Sequence, residues 1–186
     1  MSPPVRMLAR WGVTPVQVTV VGTLGVIVAA LTLWPAGHLL AGALTLAFFL
    51  LGDGLDGNLA RLTGRESRFG AFLDSTLDRA ADAAVFAGLA VWGADRDGAV
   101  LWLALACLSL GFLVSYARAR AEAVGVDASI GLFERTDRLV VALLGVVAVG
   151  LGAPGWALAL ALGIVAAGSA FTVGQRVRAA WLALGR

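Results

Sequence analysis

The chain has 186 residues, of which 60% are hydrophobic and 14% charged, with a mean hydropathy of +0.89 and a formal net charge of +2. Soluble domains are roughly 45–50% apolar and about 25% charged, so this chain has too few charges to solvate a globular surface and is too apolar to be disordered. A single cysteine, Cys107, and a single histidine, His38, exclude a disulfide framework, a thiolate zinc site and a histidine-rich metal centre.

Apolar stretches of about 20 residues recur, each long enough to cross a hydrocarbon core of roughly 30 Å as a helix. The expected fold is an all-α polytopic membrane protein, one domain over residues 1–186, with six transmembrane helices. Residues 1–10 are short and basic and no small-residue cleavage site follows, so no cleaved signal peptide is expected. The first helix is predicted over about 16–34 and is broken by Pro35-Ala36-Gly37. The second covers 39–61, with charge in its last turns. The third covers 69–92, with acidic residues in its first half. The fourth covers 99–123, the fifth 137–151 and the sixth 156–181. Abundant glycine and alanine suit close helix–helix contact in lipid.

The 14 basic residues are all arginine. Six spans place twelve of these 14 on one side: Arg6 and Arg10 before the first helix, Arg61, Arg65 and Arg68 between the second and third, Arg118, Arg120, Arg135 and Arg138 around the fourth connection, and Arg176, Arg178 and Arg186 at the end. Cytoplasmic loops carry the arginine excess, so both termini are expected in the cytoplasm and the protein in the cell membrane.

Two segments interrupt the apolar pattern, Gly52-Asp53-Gly54-Leu55-Asp56-Gly57-Asn58-Leu59-Ala60-Arg61 and Gly70-Ala71-Phe72-Leu73-Asp74-Ser75-Thr76-Leu77-Asp78-Arg79. Asp53 and Asp56 are three apart and Asp74 and Asp78 four apart, so each pair shares a helix face. Carboxylates at membrane depth are costly and mark function. Four of them converging would repel unless cations intervene, and Mg²⁺ suits carboxylates combined with substrate phosphates. Pairing with Arg61, Arg68 and Arg79 is the plainer alternative, but it leaves the glycines unexplained. Gly57 and Ala60 lie on the face of Asp53, where small side chains let a flat ligand approach the backbone, and Arg61 would neutralise phosphate.

The pattern Asp53-x-x-Asp56-Gly57-x-x-Ala60-Arg61, then eight residues, then Gly70-x-x-x-Asp74-x-x-x-Asp78 resembles the signature of the CDP-alcohol phosphatidyltransferases at all eight specified positions. The resemblance implies a six-helix membrane enzyme, usually a homodimer, with two divalent ions (Mg²⁺ or Mn²⁺) per subunit near the cytoplasmic face. Such enzymes move a phosphatidyl group from a CDP-linked lipid to an alcohol and release CMP. It also implies that Asp53, Asp56 and Asp74 ligate metal, and that Asp78 completes the metal site and acts as general base. Gly57, Ala60, Arg61 and Thr19 would contact the CDP-lipid.

The second half is similar to the phosphatidylinositol-phosphate synthase branch of actinobacteria, on Ser115-Tyr116-Ala117-Arg118-Ala119-Arg120-Ala121-Glu122-Ala123, on Gly131-Leu132-Phe133-Glu134-Arg135-Thr136-Asp137-Arg138-Leu139 and on Arg176. This implies CDP-diacylglycerol as donor and inositol 1-phosphate as acceptor, with Arg118, Arg138 and Arg176 binding the acceptor phosphate. At one of these positions relatives usually carry lysine, where Arg118 keeps the charge. Arginine forks suit a dianionic phosphate better than lysine does. Phosphatidylglycerophosphate synthase, whose acceptor also bears phosphate, is the nearest alternative, and a small transporter is the non-enzyme one. Asp82 extends the Asp74 and Asp78 face, either as a partner of Arg79 or as a group steering Asp78. Tryptophans at 11, 34, 92, 156 and 181 fall near predicted helix ends, where interfacial anchoring is expected.

Overall fold

The computed structural model describes residues 12–52 and 67–185. Six α-helices and no strands stand among the described residues: α1 Pro15–Thr32, α2 Leu39–Gly52, α3 Arg68–Ala94, α4 Gly98–Ala123, α5 Arg135–Gly150 and α6 Trp156–Leu184. Three of them, α1, α4 and α6, are long and apolar enough to cross a membrane, and Leu39–Leu50 forms a shorter apolar helix. The predicted helices match in order and type, with described ends shifted by at most three residues. The predicted second helix runs on past residue 52 into residues outside those described.

Local chemistry explains the helix boundaries. Thr14 caps α1: its hydroxyl accepts from the Gln17 amide at 3.3 Å, while the Gln17 side chain accepts from the Thr14 amide at 2.9 Å. Pro15 occupies the first turn, where its missing N–H costs nothing. After α1 the chain turns at Gly37, whose φ of +89° is readily adopted only by glycine, and His38 N–H closes on the Leu33 carbonyl at 2.8 Å. Asp97 caps α4 by accepting from the Ala99 amide at 3.0 Å. At the other end of α4, Gly125 takes φ +81°, and the Val126 and Gly125 amides satisfy the Ala121 and Glu122 carbonyls at 2.9 and 3.0 Å. Val126 then packs on Ala121 together with Ala128, the apolar contact that accompanies this cap.

Contacts group the chain into two compact units, Met1–Val85 and Phe86–Arg186, with the boundary inside α3. In the first, α1 packs on α2, and Phe49 lies over Gly25 so closely that a side chain there would overlap its ring. In the second, α6 packs against both α4 and α5. There Gly145 of α5 admits α6: an added methyl would stand 2.6 Å from Ala161 Cβ. The outward faces are apolar, with Val21, Leu24 and Val28 on α1, Trp102 and Phe112 on α4, and Leu160, Ile164 and Phe171 on α6. Thr19, Thr23, Asp82, Arg138, Ser169, Thr172 and Arg176 are buried. Apolar outward faces, with the few buried polar groups kept inside a mostly apolar core, are the arrangement a hydrocarbon solvent favours.

The tryptophans divide. Trp156 and Trp181 are exposed at the ends of α6, as interfacial anchors would be, whereas Trp34 and Trp92 are buried. Trp34 instead donates its indole N–H to the Leu39 carbonyl at 3.2 Å and packs on Gly42. Trp92 lies under the Arg96 guanidinium, 5.7 Å from its ring centroid. Trp11 lies outside the described residues. Cys107 is buried, its thiol donating to the Leu162 carbonyl at 3.3 Å, and His38 is exposed.

Candidate functional site

The first half of the acidic signature, with Asp53, Asp56, Gly57, Ala60 and Arg61, lies outside the described residues. The second half sits on α3. Asp74 and Asp78 are one helical turn apart and share a face, and Asp82 continues it one turn further. Burial increases along this line: Asp74 is half-buried, Asp78 has a side chain 19% exposed, and Asp82 is buried. Asp78 Oδ2 accepts from Arg79 Nη2 at 3.2 Å, so part of its charge is balanced by its own neighbour. Gly70 lies at the start of α3, where its amide donates to Ser67 Oγ at 2.9 Å.

The donor set of this face is carboxylate oxygen only, since the chain's one histidine and one cysteine lie on other elements. Oxygen ligands of that kind fit a hard divalent cation. Among the described residues no three histidine, cysteine, aspartate or glutamate side chains come together in a ligating group. Asp74 and Asp78 therefore fit as part of such a site, with further ligands to come from elsewhere. Thr19, the predicted CDP-lipid contact, is buried on α1 and donates its hydroxyl to the Pro15 carbonyl at 3.2 Å.

The three predicted phosphate-binding arginines all belong to the second unit, and α4 is what relates them. Cys107, Gly111, Val114 and Arg118 follow at helical spacing and share one face of α4. Arg138, in the first turn of α5, is 1% exposed and lies along this face. A methyl group at Gly111 would stand 3.8 Å from its Nε. Arg176 of α6 reaches the same face, where Nη1 donates to the Val114 carbonyl at 2.6 Å. Its Nε donates to the Ile130 carbonyl at 3.0 Å. Arg118 follows one turn beyond Val114, exposed, with its Nε donating to Glu122 at 2.8 Å. Three cations from three helices thus lie along the stretch 111–118 of one helix face, seven residue steps and a rise of roughly 10 Å.

Glu134 starts α5: its amide donates to Asp137 Oδ2 at 2.9 Å, and its carbonyl receives the Arg138 amide at 3.1 Å. Burying a guanidinium as deeply as that of Arg138 is costly unless oxygen atoms surround it. Sequence reading missed Gly111, whose bare backbone makes room for Arg138, and Thr172 and Gln175, which bond to the segment before α5. The adjacency of Gln175 and Arg176 was visible, but not what Gln175 touches.

The chain belongs to the CDP-alcohol phosphatidyltransferase family, whose model matches residues 12–173. It is 44% identical to a phosphatidylinositol phosphate synthase of Streptomyces avermitilis over 185 residues, covering 95% of this chain and 76% of that one. It is also 44% identical to the protein of the same description from Cutibacterium acnes over 186 residues, covering 95% and 90%. Crystal structures of Mycobacterium tuberculosis phosphatidylinositol phosphate synthase superpose with a TM-score of 0.90 at 42% identity. The one with CDP-DAG bound is matched over 96% of this chain and 92% of that chain. The one in complex with manganese and citrate is matched over 96% and 88%. An enzyme of the phosphatidyltransferase class follows from this membership, and the transporter alternative falls.

Proposed function

We propose that this protein transfers the phosphatidyl group of CDP-diacylglycerol to inositol 1-phosphate, giving phosphatidylinositol phosphate and CMP. The observation that carries the acceptor assignment is the gathering of Arg118, Arg138 and Arg176 on one face of α4, where a dianionic phosphate would find several forked donors. Its relatives described as phosphatidylinositol phosphate synthases support the same acceptor.

In this reading the acceptor hydroxyl attacks the phosphorus that bears diacylglycerol, and the diphosphate P–O bond breaks to release CMP. Asp78 takes the hydroxyl proton, a role suited to a half-buried carboxylate within hydrogen-bond reach. Asp53, Asp56, Asp74 and Asp78 hold the divalent ions, two per subunit. Bound there, Mg²⁺ or Mn²⁺ supplies charge neutralisation at the diphosphate. Gly57, Ala60, Arg61 and Thr19 bind the cytidine diphosphate part of the lipid. Positioning and charge stabilisation then supply most of the rate, as in other phosphoryl transfers.

The architecture in this proposal is a single domain over residues 1–186. Six helices cross the cell membrane, both termini and the active site lie on the cytoplasmic side, and two copies form a homodimer. The one-sided distribution of twelve arginines supports the orientation.

An acceptor panel tests it. Purified protein in Mg²⁺ or Mn²⁺ is given CDP-diacylglycerol with inositol 1-phosphate, free inositol, glycerol 3-phosphate or serine, and CMP release is followed. Release is expected with inositol 1-phosphate at a kcat/KM at least about 100-fold above that of free inositol, the worth of two charge-assisted contacts to phosphate. Release with glycerol 3-phosphate alone would overturn the acceptor assignment in favour of a phosphatidylglycerophosphate synthase.

A further inference from the structure

The stretch between α4 and α5 has no repeating pattern, so its backbone N–H and C=O groups must find partners individually. After the cap at Gly125, Asp127 makes a local turn by accepting from the Ser129 amide at 2.9 Å, a bond that lowers the carboxyl pKa of this exposed residue. From residue 130 to 133 the partners come instead from α6. Gly168, Thr172, Gln175 and Arg176 stand at helical spacing on one face of that helix. The Phe133 ring covers Gly168, where any side chain would overlap it. The Phe133 amide donates to Thr172 Oγ1 at 3.0 Å, and the Leu132 amide donates to Gln175 Oε1 at 3.0 Å. Thr172 donates its own hydroxyl proton to the Gly168 carbonyl at 3.0 Å, which turns an oxygen lone pair toward the strap.

The last of these contacts belongs to a residue with a second task. Arg176 gives Nε to the Ile130 carbonyl and Nη1 to the Val114 carbonyl, so two of its three nitrogens are used to fix its plane. Nη2 remains, beside Gly131, where an added Cβ would stand 3.3 Å from it and 2.7 Å from Thr172 Cγ2. Glycine at 131 therefore keeps that nitrogen approachable. The strap also runs directly into Glu134, which starts α5 one turn before Arg138.

We propose that Thr172 and Gln175 are positioning residues: by clamping strap 130–134 to α6, they fix the plane of Arg176 and the start of α5, and leave Arg176 Nη2 directed to an anionic phosphate on the acceptor. The proposal rests on the acceptor-phosphate reading above. The clamp is not itself part of the binding contact. It sets two of the three arginines relative to each other through one short segment.

Thr172→Val and Gln175→Met remove the two acceptor atoms with little change of shape. In the full-length protein in lipid nanodiscs, each is expected to raise the acceptor KM about three- to tenfold, the loss of one modest hydrogen bond, with kcat and the KM for CDP-diacylglycerol within about twofold. Thr172→Ser is expected to restore the acceptor KM. Amide exchange at Leu132 and Phe133 should accelerate in both variants, a readout independent of turnover. Unchanged exchange at these amides would overturn the clamp. So would an equal loss for both substrates with a lowered melting temperature, which marks a merely structural contact. Arg176→Gln separates the two readings. An unchanged acceptor KM in that variant overturns the phosphate role. A raised KM there, with unchanged values in Thr172→Val and Gln175→Met, overturns the clamp alone.

Discussion

Asp78→Asn is expected to lower kcat by about 10³-fold or more while CDP-diacylglycerol binding changes by no more than about threefold, because proton transfer by a positioned carboxylate contributes roughly 10²–10⁴-fold. The substitution keeps the size of the side chain and one carbonyl oxygen to accept from Arg79, so α3 has no packing reason to move. What it removes is the negative charge and the basic lone pair. Asp78 is half-buried, with the Arg79 guanidinium at 3.2 Å. CMP release and direct binding of the CDP-lipid, measured on the same preparation, separate the two effects. Normal turnover in Asp78→Asn would exclude Asp78 as the base. Loss of CDP-lipid binding in step with turnover would assign it to the donor site alone.

Arg138→Gln is expected to raise the acceptor KM by about 10- to 100-fold with a much smaller change for CDP-diacylglycerol, since charge-assisted hydrogen bonds are worth about 1.5–3 kcal/mol. Arg138 is 1% exposed against the bare backbone of Gly111, so its guanidinium has a defined place. Glutamine retains donors of similar reach and limits the damage to the core. Arg138→Lys keeps the charge but loses the fork, and should recover only part of the acceptor KM. An acceptor KM that does not move in a folded Arg138→Gln protein would remove this residue from the phosphate site. Parallel losses for both substrates, with a lowered melting temperature, would make it a packing residue.

Much of the fold was legible because membrane helices announce themselves over short distances. Thr14-Pro15-x-Gln17 states where α1 begins, and Gly37 and Gly125 mark where the chain turns after α1 and α4. The acidic face of α3 was equally legible: Asp74, Asp78 and Asp82 differ by four, and a helix needs nothing else to align them. Trp34 and Trp92 read differently in sequence and in structure because position near a helix end does not say whether a ring faces lipid or a neighbouring element. The strap was beyond reach for a related reason. Its bonds join residues 39 to 46 positions apart, between an irregular segment and a helix, and no local periodicity encodes such a pairing. Arg176 shows the limit most clearly. Its charge suggested a phosphate contact, yet two of its nitrogens hold backbone carbonyls, and only the packing against Gly131 reveals which nitrogen is left.

The most direct measurement follows the acceptor into the product. Labelled inositol 1-phosphate is incubated with CDP-diacylglycerol, Mg²⁺ or Mn²⁺ and the purified protein, and the label recovered in extracted lipid is compared with CMP released. The account predicts phosphatidylinositol phosphate and CMP in a one-to-one ratio, with both abolished by metal chelation. CMP release with no label in lipid, or labelled lipid formed equally well in the presence of chelator, would contradict it.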